Sequence, residues 1–204
     1  TLTGRPKIGV FDDKRLEYLY IDDDVKDTAN QGDIYLGQVS KISNGLEAAF
    51  VEIGQKRTAF LHKSDIALTQ EAQSKPLNKI LTTGQRFLVQ ISKSAMGTKG
   101  ARLTTKISLS TGYLVYLPHM KTNKLSSKIT CERQRETLYR MLEHFPKCGF
   151  ILRTAACNQP LATLIHDCEY LENKWQDIQQ QSFTMLKPGL INKDLSLPFK
   201  IIRD

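Results

Sequence analysis

The chain has 204 residues, 40% hydrophobic and 25% charged, which suits one large or two small packed domains and argues against wholesale disorder. No apolar run approaches the roughly 18–20 residues that span a bilayer, and no basic segment followed by an apolar one opens the chain as a secretory signal would. Lys and Arg number 29 against 21 Asp and Glu, a net charge of +8 that favours a polyanionic partner such as nucleic acid.

In chain order, Lys7–Phe11 and Leu16–Ile21 read as two strands joined by the turn Asp12-Asp13-Lys14-Arg15. An acidic cluster, Asp22–Asp24, leads into a polar loop up to Gly32. From Asp33 to about Ser110 the pattern is all-β. Ile34–Ile42 is a strand, Ser43-Asn44-Gly45 a hairpin turn with positive φ angles, and Leu46–Ile53 the returning strand. Alternation puts Leu46, Ala48 and Phe50 on one face and Ala49, Val51 and Ile53 on the other. Thr58–Leu61, Arg86–Lys93 and Ala101–Leu109 follow as strands, separated by a polar insertion at 67–80 and by the Ser94–Gly100 loop. Five strands with short turns in under 80 residues suit a small closed barrel.

After Gly112 helices enter. Tyr113–Leu117 is a strand, 119–128 a basic loop, Glu132–Phe145 an amphipathic helix and Gly149–Thr154 a strand. Pro160 opens a long helix whose stripe Leu161, Leu164, Ile165, Cys168, Leu171, Trp175 and Ile178 reads as core. Lys187-Pro188-Gly189 ends it, and a short helix is expected after Pro198. The first two strands have no covering helix, so they are expected to pair with Tyr113–Leu117 and the later strands, making the barrel an insertion in a discontinuous α/β domain.

Cys131, Cys148, Cys157 and Cys168 form no CxxC pair, and His166 near Cys168 has no second pair to complete a zinc site, so buried free thiols in a reducing cytosol are expected. Asp12 and Asp13 sit in a turn and few carboxylates fall on the later strands, so no metal-binding or catalytic residues are expected in this chain. No GxSxG, HExxH or P-loop pattern occurs either.

A single-strand binder needs aromatic faces for bases and cations for phosphates. Phe50 and Phe60 fall on neighbouring strands of one hairpin, and His62 adds a flat polar ring. Lys99 sits between glycines in a loop, and Arg102 and Lys106 follow it. The alternative for Phe50 is a core position beside Leu46 and Ala48; for Lys99 it is a solvated loop.

The run Gly37-x-Val39-x-x-Ile42, Ala49-Phe50-Val51, Ala59-Phe60-Leu61-His62-x-Ser64-Asp65-Ile66 and Val89-x-Ile91-x-Lys93 resembles an S1-type OB domain. NGLEAAFVEIGQKRTAFLHKSDI, MGTKGARLTT and GFILRTAA together resemble the N-terminal part of the ribonuclease E/G family, the G-type branch more than the E-type. The fold so implied is α+β: a five-stranded S1-type OB barrel (33–110) inserted into a ribonuclease-H-like domain made of 1–32 and 111–204. The resemblance implies contacts to single-stranded RNA through Phe50, Phe60, His62 and Lys99. It implies a pocket for an RNA 5′-monophosphate built from Arg153 and Thr154, with the Thr111 backbone and Val115. Thr111-Gly112 stands where the E-type branch has Gly-Ser.

It further implies a cytoplasmic, homo-oligomeric endoribonuclease of rRNA maturation and mRNA decay. Its catalytic Mg2+ and structural Zn2+ would belong to a catalytic region after these residues, so this chain alone is expected not to cut RNA. Two other readings stay open at this point: a stand-alone, non-catalytic S1-type module, and a basic protein-interaction scaffold.

Overall fold

The computed structural model describes residues 7–21, 29–195 and 199–201. Strands β1 (Lys7–Asp12) and β2 (Arg15–Ile21) form an antiparallel hairpin that is a sheet by itself, turning at Asp13 with φ 49°. The expected partnership with the strand at Tyr113–Leu117 is not observed. Both edges of that strand are already taken by nearer partners, as described below. The cluster Asp22–Asp24 lies outside the described residues.

The barrel consists of β3 (Ile34–Ser43), β4 (Ala48–Glu52), β5 (Ala59–His62), β6 (Arg86–Lys93) and β7 (Arg102–Thr104). Their order is β3-β4-β5-β7-β6, closed by a β3–β6 ladder and antiparallel except for β5–β7. Inward alternation gives an almost wholly aliphatic core in which Val39, Ala49, Val51, Ala59, Leu61, Val89, Ile91 and Leu103 are buried, with Tyr35 among them. Gly37 permits the closure, because a Cβ there would lie 2.6 Å from Val51 Cγ1.

Two local expectations change. The connection after β3 is a 3-10 turn over Asn44–Leu46, and the left-handed residue is Glu47 (φ 45°) rather than Asn44 or Gly45. Lys63 stabilises that conformation from both ends: its N–H donates to the Glu47 carbonyl and its ammonium lies 3.4 Å from Glu47 Oε1. Leu46 is left exposed, outside the strand. The 67–80 insertion, polar in composition, holds α1 (Gln70–Gln73) and a 3-10 turn whose Leu77 is buried in the barrel core with Ile66 and Leu81.

The expected strand 101–109 breaks in two. β7 stays in the barrel, whereas β8 (Leu109–Ser110) joins a second sheet ordered β10-β11-β9-β8, with β9 (Leu114–Tyr116), β10 (Lys124–Leu125) and β11 (Phe150–Leu152). β9 therefore lies between β8 and β11. Helices α2 (Glu132–Leu142) and α3 (Leu161–Thr184) cover this sheet. Leu114, Phe150, Leu152, Leu138, Leu164, Cys168, Leu171 and Ile178 meet there in a second core. Pro160 is the N-cap of α3, with the helix starting one residue later. After the Lys187-Pro188-Gly189 break the chain forms a strand that periodicity does not announce. β12 (Gly189–Asn192) pairs with Ile34–Leu36 on the edge of β3 that β4 leaves open. Residues 199–201 are helical.

Candidate nucleic-acid interface

The β4–β5 register places Ala48 opposite His62 and Phe50 opposite Phe60, on the strand face opposite Ala49, Val51 and Leu61; Ala48 is fully buried there, whereas the three rings are not. A bulge in β3 between Val39 and Lys41 adjoins this site, and the Ser40 hydroxyl there donates to the Phe50 carbonyl (3.1 Å). The rings form a continuous surface. Phe50 and Phe60 meet edge-to-face with centroids 6.0 Å apart, and Phe60 and His62 are near-parallel at 6.5 Å. All three are partly exposed, so Phe50 is not a core residue; Ala49 and Val51 on either side of it are. The His62 ring is held by Ser64: Nδ1 accepts the Ser64 N–H at 3.2 Å and lies 2.7 Å from its hydroxyl. In the neutral ring that leaves the proton on Nε2.

Cations border this surface in different states. Arg102 is the register partner of Phe60, but its Nε and Nη2 both lie 2.8 Å from Asp65 Oδ2, so its charge is largely balanced. Lys106 donates one ammonium hydrogen to the Ser64 carbonyl (2.7 Å), and two remain for a ligand. Lys99 is exposed at the tip of the 94–100 loop, whose Met96–Lys99 bridge and left-handed Gly97 form a tight turn. Arg57 donates to the Gly97 carbonyl and anchors that tip. At the base of the loop the Phe60 N–H donates to the Ala101 carbonyl. Gly100 packs so closely there that a Cβ would lie 2.1 Å from the Thr58 oxygen. The loop is thereby fixed beside Phe60.

Asp65 and Arg57 are supporting residues that the sequence reading did not single out. Asp65 lies within a motif already quoted. Arg57 bonds a backbone carbonyl 40 residues away, a contact with no local signature.

The second group lies on the other sheet. Arg153 follows β11 and caps the 3-10 turn Thr154–Asn158. Its N–H donates to the Tyr113 carbonyl and its guanidinium to the Thr111 carbonyl at 3.2 Å. The Thr111 hydroxyl accepts the N–H groups of Tyr113 and Leu114, which folds the β8–β9 turn tightly. Val115 pairs with Ile151, on the face of the sheet opposite Leu114 and Leu152. Arg153 and Thr111 thus meet at the Leu114–Leu152 end of the β9–β11 ladder, one pair beyond Val115, with exposed Thr154 next in the chain.

Among the described residues no group of three or more His, Cys, Asp or Glu side chains is arranged to hold a metal ion. The four cysteines are free thiols, but only Cys168 is buried; Cys148 and Cys157 are half-buried and Cys131, at the N-cap of α2, is exposed. Burial pushes Cys148 and Cys168 up to about 12. No helix among the described residues is long and apolar enough to cross a membrane.

Comparison with known proteins agrees with this geometry. Residues 28–106 match the model of the S1 RNA binding domain and residues 108–204 that of the ribonuclease E/G family. Ribonuclease G of Escherichia coli K12 is 35% identical over 184 residues, covering 85% of this chain and 38% of the relative. Ribonuclease G of Haemophilus influenzae is 34% identical over 186 residues, with the same coverage. Ribonuclease E of Nostoc sp. PCC 7120 is 36% identical over 178 residues, covering 85% of this chain and 26% of the relative. The chain therefore spans well under half the length of the curated relatives it matches.

Proposed function

The chain belongs to the ribonuclease E/G family and carries that family's S1 RNA binding domain, and from this we propose that it grips single-stranded RNA and reads a 5′-monophosphate. The observation that carries the reading is the outward surface of Phe50, Phe60 and His62 beside the anchored Lys99 loop. Unpaired bases can stack on such rings, whereas paired bases in an A-form helix cannot reach them.

The 5′-phosphate is the charge for which the Arg153–Thr111 corner is suited. A guanidinium bonded to the Thr111 carbonyl is held in orientation, and its planar fork of donors is the shape that phosphate oxygens match. The Thr154 hydroxyl adds a donor next in sequence. Here Thr111 contributes its carbonyl to orient Arg153, a contact that does not depend on a glycine at that position.

In this reading the whole protein is a single-strand endoribonuclease of rRNA processing and mRNA decay, and the groups that cut lie outside these residues. Mg2+ for cleavage and Zn2+ for structure would be held by those other groups. Cytoplasmic location and homo-oligomeric assembly belong to the same reading and rest on the family likeness alone.

The test is fluorescence anisotropy at one salt concentration with short 3′-labelled RNAs. Single-stranded RNA should bind better than duplex. A 5′-monophosphate should bind at least about tenfold better than a 5′-hydroxyl, since a charged hydrogen bond is typically worth ~1.5–3 kcal/mol, and Arg153→Ala should erase the difference. Equal affinity for duplex and single strand would overturn the barrel surface as the binding site. Identical affinity for the two 5′ ends in wild type would overturn the phosphate pocket.

A further inference from the structure

His62 belongs to two surfaces at once. One is the aromatic surface; the other is a groove of about 760 Å³ that begins at His62 and Ser64 and runs to His119 and Lys121. A cavity of this size lies within the range of about 300–1,000 Å³ typical of small-ligand sites, so it has room for about one or two nucleotides. Its apolar lining is Ile66, Ala67 and Leu68, with the Ala67 N–H donating to Thr105 Oγ1 at 2.8 Å. Its charged lining is almost entirely cationic. The lone carboxylate there is Glu47, already 3.4 Å from the Lys63 ammonium. Lys106 reaches in with two ammonium hydrogens unused after its bond to the Ser64 carbonyl.

His119 comes from the segment after β9, so the groove joins the barrel to the second sheet. Its ring is tied to the Ile107 backbone, and partial desolvation followed by the Lys106 charge lowers its pKa. Lys121 is exposed. A lining that combines apolar residues with Lys63, Lys106 and Lys121 suits a stretch of RNA, which offers both base faces and phosphates.

We infer that this groove is a second RNA subsite, holding the one or two nucleotides that leave the Phe50–Phe60–His62 surface and leading the strand off the barrel past Lys106 to His119 and Lys121. The inference rests on the single-strand reading given above and extends it. RNA affinity then increases with length beyond what the aromatic surface alone can engage. That added part depends on residues of the 119–121 segment, outside the S1 domain.

The experiment is a ladder of 3′-labelled oligouridylates, from four to ten nucleotides, titrated with wild type, His119→Ala/Lys121→Gln and Phe60→Ala. Circular dichroism checks the fold of each variant. Wild-type affinity should increase along the ladder. The double variant should match wild type on the shortest oligomer and lose about tenfold on the longer ones. A single Lys121→Gln variant, titrated on the longer oligomers at several salt concentrations, should show a salt slope smaller in magnitude by about 0.7, the value for one phosphate contact on a single strand. Phe60→Ala should weaken every length. A double variant that tracks wild type at all lengths, while Phe60→Ala remains weak, overturns the groove and leaves the aromatic surface standing. A Phe60→Ala protein that binds every length like wild type overturns both.

Discussion

The barrel and the second sheet use the same residue types in opposite senses. In the barrel the buried interior is aliphatic apart from Tyr35, and the rings of Phe50, Phe60 and His62 lie on the other face of their strands. In the second unit three rings form part of the core: Tyr116 stacks on Phe150 with centroids 4.7 Å apart, and Phe145 meets Phe150 edge-on at 5.9 Å. A closed five-stranded barrel has a narrow interior that Val, Ala, Ile and Leu fill, which frees the aromatics for the outside. An open sheet under helices has a broad interface that large rings fill well. An aromatic in this protein is therefore read by the face it occupies, not by its type.

The comparison breaks most visibly in stability. Phe150 is fully buried, so Phe150→Ala should cost about 3–5 kcal/mol. Phe60→Ala, at a partly exposed position, should cost far less. Urea unfolding of the two variants measures the contrast, and similar losses would refute it.

In binding the order reverses. Phe60→Ala should lose about 1–3 kcal/mol of single-stranded RNA affinity, the usual worth of one stacked base. Anisotropy on an unstructured oligonucleotide reads this directly.

A pH dependence sharpens the difference between the cores. Burial pushes Tyr116, Cys148 and Cys168 up to about 12, with the Cys148 thiol also donating to Glu172 Oε1 at 3.2 Å. A thiol whose folded value lies above its unfolded value of 9.0 contributes fully below pH 9, and that contribution disappears as the pH rises towards about 12. Thermal unfolding should therefore shift to lower temperature between pH 8 and pH 10.5, less so in Cys168→Ala than in wild type. Thiol reagents at pH 8 should modify exposed Cys131 first and buried Cys168 only on unfolding.

The smallest effect belongs to Lys99. Lys99→Ala should leave stability unchanged and reduce the magnitude of the salt slope of RNA binding by about 0.7, one counterion fewer on a single strand. A titration of affinity against salt concentration resolves it.

Much of this was legible from residues close in sequence. Period-two alternation through Ala48–Glu52 and Ala59–His62 announces a hairpin and puts Phe50, Phe60 and His62 on one side of it. Helical spacing places Leu164, Cys168, Leu171 and Ile178 in a core. What escaped was decided at a distance. The short strand Gly189–Asn192 exists because β3 offers it an edge, and four residues carry too little pattern to announce that. The break between β7 and β8 follows from competition between two sheets, mediated by Gln90, whose side chain bonds both Ser108 N–H and Ser108 C=O at 2.9 Å. Glu47 adopts the left-handed conformation because Lys63, brought close by tertiary structure, holds it there. The groove at His119 combines two segments that neither periodicity nor a short motif connects.

The pairing of β12 with β3 has a consequence for synthesis on the ribosome. Ile34–Leu36 emerge early, but the strand that covers their open edge follows about 150 residues later, and Asp194, whose N–H donates to buried Asp33 at 2.9 Å, later still. At about 5–20 residues per second, that edge stays uncovered for roughly 8–30 s. For that interval the nascent barrel presents unpaired backbone donors and acceptors beside Ile34, whose second-core neighbours at Leu164–Ile178 have also yet to be made. Such an edge invites strand addition from another chain. The growing polypeptide is therefore most open to association with its neighbours on a polysome after its barrel strands have formed and before the last strand docks.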